Sequence, residues 1–481
     1  MNLASVILKS KFTSSIRKNL SNNRQFNRRK FANSSSNLLF SRNVVRPDFD
    51  FDFLLDSKNR EEIEKNIRNR KQIGDIDKLN QLWLEIQSIF KDRTCFDDEE
   101  DHSSRNEQKV ADLQRLWNEF YEQAWAIPNK TSPLSPIGDE TQARLVKTHG
   151  SKNEAQKWPP KLAEEIFQAH GTLRQDFSTE CGDKSYAFFS SAAILEQCLI
   201  EYAVDLLKSK NFRPLIIPDI LNLRSPRQCG MVTKISVNDE NLSTSNDLED
   251  HRRLVYTLKH NTDYCLAGTG ETGIASMLEN AIYSTEELPL KFYTVSRCFR
   301  PEVGTAGEEK RIYRVHEFTK VEMFSVTADE SGTESDDMLQ HFVDVQEEIF
   351  SSLNLHYRLL DMPTRELGAS AYRKFDIEAW MPGRNVYGEI SSASNCTDFQ
   401  SRRLNAKYKT VDGRYKYLHT INGTACATNR LIISLVEQNQ TFNKNVNLPE
   451  KLQIYVDNYE KTADLRTKLR FRKVFDRCSF S

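Results

Sequence analysis

The sequence predicts an α+β fold, with a helical N-terminal part and a strand-rich remainder, and three stretches carry that reading. Ile76, Leu79, Trp83, Ile86 and Phe90 repeat at helical spacing, as do Val110, Leu113, Trp117, Phe120 and Ala124. The two stripes flank a polar, acidic tip at residues 96–101, which makes an antiparallel helical hairpin. Thr294 to Val326 reads as two strands rich in β-branched and aromatic residues, separated by a glycine-containing charged loop over about 303–312. Lys374–Trp380 and Tyr387–Ser392 alternate as further strands, and Ala192–Leu207 is an amphipathic helix.

With 481 residues the chain can hold two or three domains around a large core. Its 67 basic and 68 acidic side chains nearly cancel, so there is no global basic field for nucleic acid and charge must be read by segment. The nine cysteines include no C-x-x-C pair, which suggests neither a zinc ribbon nor a disulfide framework and fits a reducing compartment. No uncharged apolar run approaches the roughly 20 residues of a membrane helix.

Residues 1–47 hold ten Lys or Arg, nine Ser and no acid, with Leu3, Val6, Ile7, Phe12 and Ile16 able to line one helical face. That is the composition of a mitochondrial transit peptide, with a basic RNA-binding arm as the competing reading. Arg29-x-Phe31-x-x-Ser34 resembles a matrix-processing signal, placing the mature start between about 32 and 47. From 48 to 128 comes the helical hairpin. Each apolar stripe spans about 15 residues, roughly 22 Å of helix. The acidic tip would repel phosphate, so the better candidates for RNA lie on the preceding basic helix, at Lys65, Arg68, Arg70 and Lys71; a solvated face explains the same charges, since Glu61, Glu62 and Glu64 intervene. Pro- and Ser-rich 129–139 reads as a linker, setting off 140–460 as a second domain.

The strand pair at 294–326 concentrates Arg300, Glu302, Arg311, Arg314, Phe318 and Glu322. So many charges are costly to bury unless a charged ligand meets them, although a salt-bridged surface hairpin would also account for them. Gly268-Thr269-Gly270-Glu271-Thr272-Gly273 matches G-x-G-x-x-G, but Asp263–Ala267 before it is a poor strand, so a dinucleotide site is not expected. Glu389 and Ser392 offer two hard oxygen ligands suited to Mg²⁺. Asn422-Gly423 can be read as a turn and Thr424 as a helix N-cap.

Cys298-Phe299-Arg300-Pro301-Glu302, followed by Tyr313-Arg314-Val315-His316-Glu317-Phe318-Thr319-Lys320-Val321-Glu322, resembles motif 2 of the class II aminoacyl-tRNA synthetases in its seryl form. The helix feeding Phe212–Pro218 resembles motif 1, and His419 to Arg430 resembles motif 3. The resemblance runs from about Asp48 to Asn439 and is to the mitochondrial type of the family. It implies a class II catalytic domain, an antiparallel sheet flanked by helices, behind a short coiled-coil arm. It implies ATP and serine as substrates, Mg²⁺, a serine tRNA, a homodimer through motif 1 and a place in the mitochondrial matrix. By the same resemblance Arg300 holds the α-phosphate and the serine carboxylate, Glu302 reads the adenine amino group and Phe318 stacks on adenine. Arg314 and Arg430 neutralise the pyrophosphate, with Mg²⁺ on Glu389 and Ser392. Thr269, Glu271, Glu322, Asn422 and Thr424 define the serine site together with Arg300. The basic tail at 461–481, with Arg470, Arg472 and Lys473, would hold tRNA through phosphate contacts or stay disordered. Two rivals are a synthetase-like mitochondrial paralogue without catalysis, which binds RNA or protein, and a class II synthetase for another amino acid. The filled motif positions oppose the first; Thr269-Gly270-Glu271, which resembles the family's serine-binding T-x-E loop, and Asn422-x-Thr424 oppose the second.

Overall fold

The computed structural model describes residues 47–71, 73–91, 103–152, 158–176, 178–182, 184–231, 255–302 and 311–462. Residues 1–46 of the expected transit peptide, the acidic tip, the motif 2 loop over 303–310 and the tail with Arg470, Arg472 and Lys473 lie outside the described residues. The chain divides into two compact units, one running to Ile67 and resuming over Gly74–Ile127, the other comprising Arg68–Ile73 and everything from Pro128.

The first unit is helical. Helix α1 spans Arg60–Asn69, α2 Ile76–Lys91 and α3 Ser103–Ala126. The periodic apolar residues do what their spacing requires: Leu79, Leu82 and Ile86 of α2 and Leu113, Leu116, Phe120 and Ala124 of α3 are buried together. Trp83 meets Trp117 edge-on, with ring centroids 6.1 Å apart. Helix α3 is longer than its stripe predicts, at 24 residues or about 36 Å. An apolar stripe marks the packed face and not the end of a helix; the polar start from Ser103 prolongs α3 beyond it.

The second unit is built on an eight-stranded sheet. Its strands in chain order are β1 Arg144–His149, β2 Arg213–Leu215, β3 Leu290–Phe299, β4 Glu317–Thr327, β5 Tyr357–Asp361, β6 Arg373–Met381, β7 Val386–Thr397 and β8 His419–Ala427. They lie side by side in the order β1-β5-β6-β7-β8-β4-β3-β2. All neighbours are antiparallel except the edge pair β2 and β3. On one face pack α4 (Ala163–Ala169), α5 (Ser190–Ser209), α7 (Glu334–Ser352) and α9 (Thr428–Gln438), around a single large core. On the other face lie α6 (Gly270–Ser276) and α8 (Phe399–Leu404). Helix α10 (Glu450–Thr462) packs against α5. Among the described residues no helix is long and apolar enough to cross a membrane.

Several local expectations are corrected. Asn422, Gly423 and Thr424 form neither turn nor cap; they sit in the middle of β8, paired with β4 and β7. Gly423 is there because α7 crosses close above it: a Cβ would stand 3.0 Å from Phe342 Cδ2 and 3.2 Å from Gln346 Nε2. Asn261–Leu266, which includes most of the supposedly poor strand, is a strand, paired antiparallel in a separate three-stranded sheet. A G-x-G-x-x-G loop after such a strand lacks the parallel crossover of a dinucleotide fold. The glycine serves packing instead: a Cβ on Gly270 would meet Thr294 Cγ2 at 2.6 Å. The stretch 129–139, expected as a linker at the domain boundary, starts just past the division of the two units at Ile127 and holds no helix or strand. Asn129 and Ser132 donate to the carbonyls of Ala369 and Tyr372, and Thr364 donates to Pro136.

Arg70 is the correction with functional weight. It is 3% exposed, and its guanidinium donates to the carbonyls of Asn129 (3.3 Å), Ala371 (2.9 Å) and Gly368 and to the Thr131 hydroxyl (3.1 Å). A planar fork turned inward onto these acceptors, with its remaining Nε buried and unpaired, is out of reach of phosphate. Lys65, Arg68 and Lys71 keep exposed positions. Arg70→Ala is therefore expected to destabilise the fold by about 3 kcal/mol in denaturant unfolding, by leaving buried carbonyls unpaired. Arg68→Ala should change stability by less than about 0.5 kcal/mol. Equal effects of the two would contradict the assignment.

Candidate active site

The site is the face of the sheet that α6 and α8 leave partly open. Strict alternation along β4 sends Val321 and Met323 into the large core and Phe318, Lys320 and Glu322 to this face. Two irregularities then shape it. Between β6 and β7, Asp376 pairs with Ser392, Ile377 with Ser391 and Glu378 with Glu389, so Ile390 has no opposite number. This bulge breaks the alternation, and Ile390 and Ser391 are both buried while Glu389 and Ser392 are both partly open. Two residues three apart thus face the same way. A second shift, at Ala425 in β8, sets Thr424 opposite Glu322.

Three groups of side chains gather here. The first stands where β3 and β4 diverge. The Arg300 guanidinium lies 5.3 Å from the Phe318 ring centroid, and its Nε donates to the Gly268 carbonyl at 3.3 Å. Glu302 accepts from Arg314 at 3.5 Å and holds φ at 43°, in the left-handed region a glutamate seldom adopts. Phe318 is buried among Cys298, Val315 and Ala427.

The second group is a buried polar pocket. Thr269 caps α6 by accepting from the Glu271 amide (3.3 Å), which aims Glu271 at the sheet. The Thr269 hydroxyl donates to Glu322 Oε2 (3.2 Å) and accepts from Lys320 Nζ (2.8 Å), and Lys320 is ion-paired with Glu322. Glu271 Oε1 accepts from Gln400 (2.6 Å) and from Asn422 (3.0 Å). Burial, with the neighbouring Glu322 charge, pushes the Glu271 carboxyl up to about 7, against the opposing pull of Gln400 and Lys320.

The third group joins β7 to α9. Arg430 donates to the Glu389 carbonyl at 3.1 Å and stands 3.6 Å from its carboxylate, with the guanidinium over the Tyr313 ring at 4.7 Å. Burial works against ionised Glu389, but Arg430, with Lys374, Arg300 and Lys320 behind it, outweighs that and holds the carboxyl below the usual glutamate value. Beneath it Lys374 pairs with buried Asp376 (2.7 Å), whose Oδ1 has no hydrogen-bond partner.

Of the predicted residues, Glu271, Phe318, Glu322, Glu389, Ser392, Asn422, Thr424 and Arg430 lie on these strands or on helices α6 and α9, Thr269 caps α6, and Arg300, Glu302 and Arg314 lie in the connection between β3 and β4. Sequence reasoning missed Lys320, Gln400 and the Lys374–Asp376 pair. Lys320 was readable, since it alternates with Phe318 and Glu322. No local pattern gave Gln400 a role in the pocket, because its partners come from residues 129 and 20 positions away.

An antiparallel core with one face lined by arginines and carboxylates from a strand pair and a strand-to-helix junction defines a class II aminoacyl-tRNA synthetase catalytic domain. Residues 256–439 match the family described as tRNA synthetase class II core domain (G, H, P, S and T). The mitochondrial serine–tRNA ligase of Mus musculus is 41% identical over 359 residues, 74% of this chain and 66% of that relative's length. The serine–tRNA ligase of Rubrobacter xylanophilus is 34% identical over 426 residues, covering 83% of this chain and 96% of its own. Among solved structures, the seryl-tRNA synthetase of Pyrococcus horikoshii complexed with ATP superposes with a TM-score of 0.71 at 28% identity, over 85% of this chain and 98% of that one. The chain belongs to the serine–tRNA ligase family.

Because Glu271 is raised toward neutrality, its carboxyl carries a proton below about pH 7 and is ionised above it. A ligand ammonium pairs only with the ionised form. Serine affinity measured by calorimetry should therefore weaken as pH falls from about 8 to about 6, and Glu271→Gln should flatten that dependence while weakening binding throughout. A wild-type affinity independent of pH across this window would contradict the pairing.

Proposed function

We propose that this chain activates L-serine with ATP and transfers the seryl group to a mitochondrial serine tRNA in the matrix. The observation that carries the reading is the joining of a buried, anionic pocket to an arginine-lined phosphate face on one continuous sheet surface. A serine carboxylate oxygen attacks the α-phosphorus, the bond to the bridging oxygen breaks, and pyrophosphate leaves. A ribose hydroxyl at the tRNA 3′ end then attacks the seryl carbonyl, and AMP leaves.

Each residue contributes position or charge and none a covalent bond. Arg300, half-buried at the mouth of the pocket, bridges the α-phosphate and the serine carboxylate. Glu302 accepts from the adenine amino group, and Phe318 gives the aromatic face for the base. Arg314 and Arg430 meet the pyrophosphate end. Thr269, Glu271, Glu322, Asn422 and Thr424 enclose the serine ammonium and hydroxyl. Alanine would leave those buried polar groups unpaired, which is the physical basis for rejecting it.

Glu389 and Ser392 fit Mg²⁺: the bulge at Ile390 leaves both partly open on one face, and both are hard oxygen donors. Bound there with the phosphates, the ion would neutralise their charge. Lys374 and Asp376 would hold the Glu389 strand from below.

A homodimer through motif 1 is supported by β2, a short edge strand containing Pro214, and by Ile216 beside it, which is 100% exposed. The matrix location is supported by the acid-free, basic first 47 residues and by the mitochondrial relatives. Contacts to tRNA phosphates are assigned to Lys65, Arg68, Lys71 and the tail residues Arg470, Arg472 and Lys473.

Two measurements test this reading. ATP–pyrophosphate exchange by protein lacking residues 1–46 should depend on serine, not threonine or alanine, and fall at least about 100-fold in Arg300→Ala; exchange with no amino acid would refute it. Sedimentation should show a dimer that Ile216→Asp dissociates, and an unaffected dimer would remove motif 1 from the interface.

A further inference from the structure

The carboxylate of Glu271 is held in an unusual way. Both protein donors that reach it, Gln400 Nε2 at 2.6 Å and Asn422 Nδ2 at 3.0 Å, converge on one oxygen, Oε1. Oε2 has no hydrogen-bond partner among the described residues and is not among the fully buried atoms left orphaned. One oxygen is anchored to the protein and the other faces the pocket.

Gln400 is itself fixed. It is 0% exposed and sits on α8. Its amide could turn either way, presenting NH₂ or a carbonyl to the glutamate. The Thr420 hydroxyl decides this by donating to Gln400 Oε1 at 2.8 Å, while the Cys229 carbonyl accepts from Nε2 at 3.5 Å. Thr420 is 0% exposed and cannot be replaced there by water. With both partners in place only the NH₂ can face Glu271; without Thr420 the amide can flip and set its carbonyl against a carboxylate.

We propose that Gln400, oriented by Thr420, is a positioning residue for amino-acid selection: it pins Glu271 by Oε1 so that Oε2 meets the amino-acid substrate. This rests on the reading of the pocket as the serine site. The charged and titratable groups facing Glu271 are Glu322 and Lys320 from β4, Cys229 from the turn after residues 224–228, and Cys396 from β7. Gln400 is the neutral donor that favours the ionised form.

The test is serine- and ATP-dependent pyrophosphate exchange by wild type, Gln400→Met, Thr420→Val and the double variant, each checked for folding by its thermal transition. Gln400→Met keeps the side chain's length and removes its donor. It should raise KM for serine at least about tenfold, the scale of one lost hydrogen bond to a charged group, with KM for ATP changed less than about twofold. The acid limb of kcat/KM for serine should move to higher pH. Thr420→Val should do the same to a smaller degree, Thr420→Ser should restore wild-type behaviour, and the double variant should be no worse than Gln400→Met. Unchanged KM for serine in folded Gln400→Met, or KM values for serine and ATP rising together, would overturn the proposal. Additive effects of the two substitutions would overturn the role of Thr420. Absence of serine-dependent exchange in the wild type would instead overturn the serine-site reading on which the proposal stands.

Discussion

The site depends on a charge imbalance buried against the sheet. Glu271 and Glu322 share a nearly dry pocket with one internal cation, Lys320, which is 5% exposed and bound to Thr269 and Glu322. Two carboxylates and one ammonium leave a single negative charge without a buried partner. The protein relieves it by raising Glu271 toward neutrality. On the proposed reading a substrate ammonium would relieve it better, bringing a full charge and three donors. The cost of desolvating Glu271 is then met during folding and offset by binding.

Geometry, as much as residue type, makes this work. An ideal strand alternates its faces, so residues three apart point in opposite directions. The bulge at Ile390 cancels that and leaves Glu389 and Ser392 both partly open. The shift at Ala425 sets Thr424 against Glu322. Tight helix packing needs its own exceptions: Gly423 lets α7 cross β8, and Gly270 lets α6 descend onto β3. Helix α9 then begins at Thr428 and carries Arg430 over Tyr313 and beside Glu389, tying the third group of side chains to the second.

Much of this was legible in the sequence, for reasons that particular residues show. Helices α2 and α3 follow from Leu79, Ile86, Leu113 and Phe120, because burying one face of a helix leaves a periodic trace. Strand β4 follows from the alternation of Phe318, Lys320 and Glu322. What stayed hidden depends on partners distant in the chain. Arg70 looks like a surface cation on a basic helix, and only its contacts with residues 129, 131, 368 and 371 reveal a buried pin. Asn422-Gly423 looks like a turn until the close passage of Phe342 explains the glycine. Gln400 and Thr420 lie 20 positions apart, and neither bulge leaves a mark in local pattern.

The central claim is that the pocket recognises a seryl group by its ammonium and its hydroxyl while the adjoining face holds the adenylate. The most direct measurement is calorimetric titration with two stable sulfamoyl analogues of the adenylate intermediate, one seryl and one alanyl. The two differ by a single oxygen. The account predicts tight binding of the seryl analogue, and at least about 100-fold weaker binding of the alanyl one, because the groups facing the missing hydroxyl stay buried and unpaired. Equal affinity for the two would contradict it, and would mean that the pocket formed by Glu271, Glu322, Asn422 and Thr424 does not read the serine side chain.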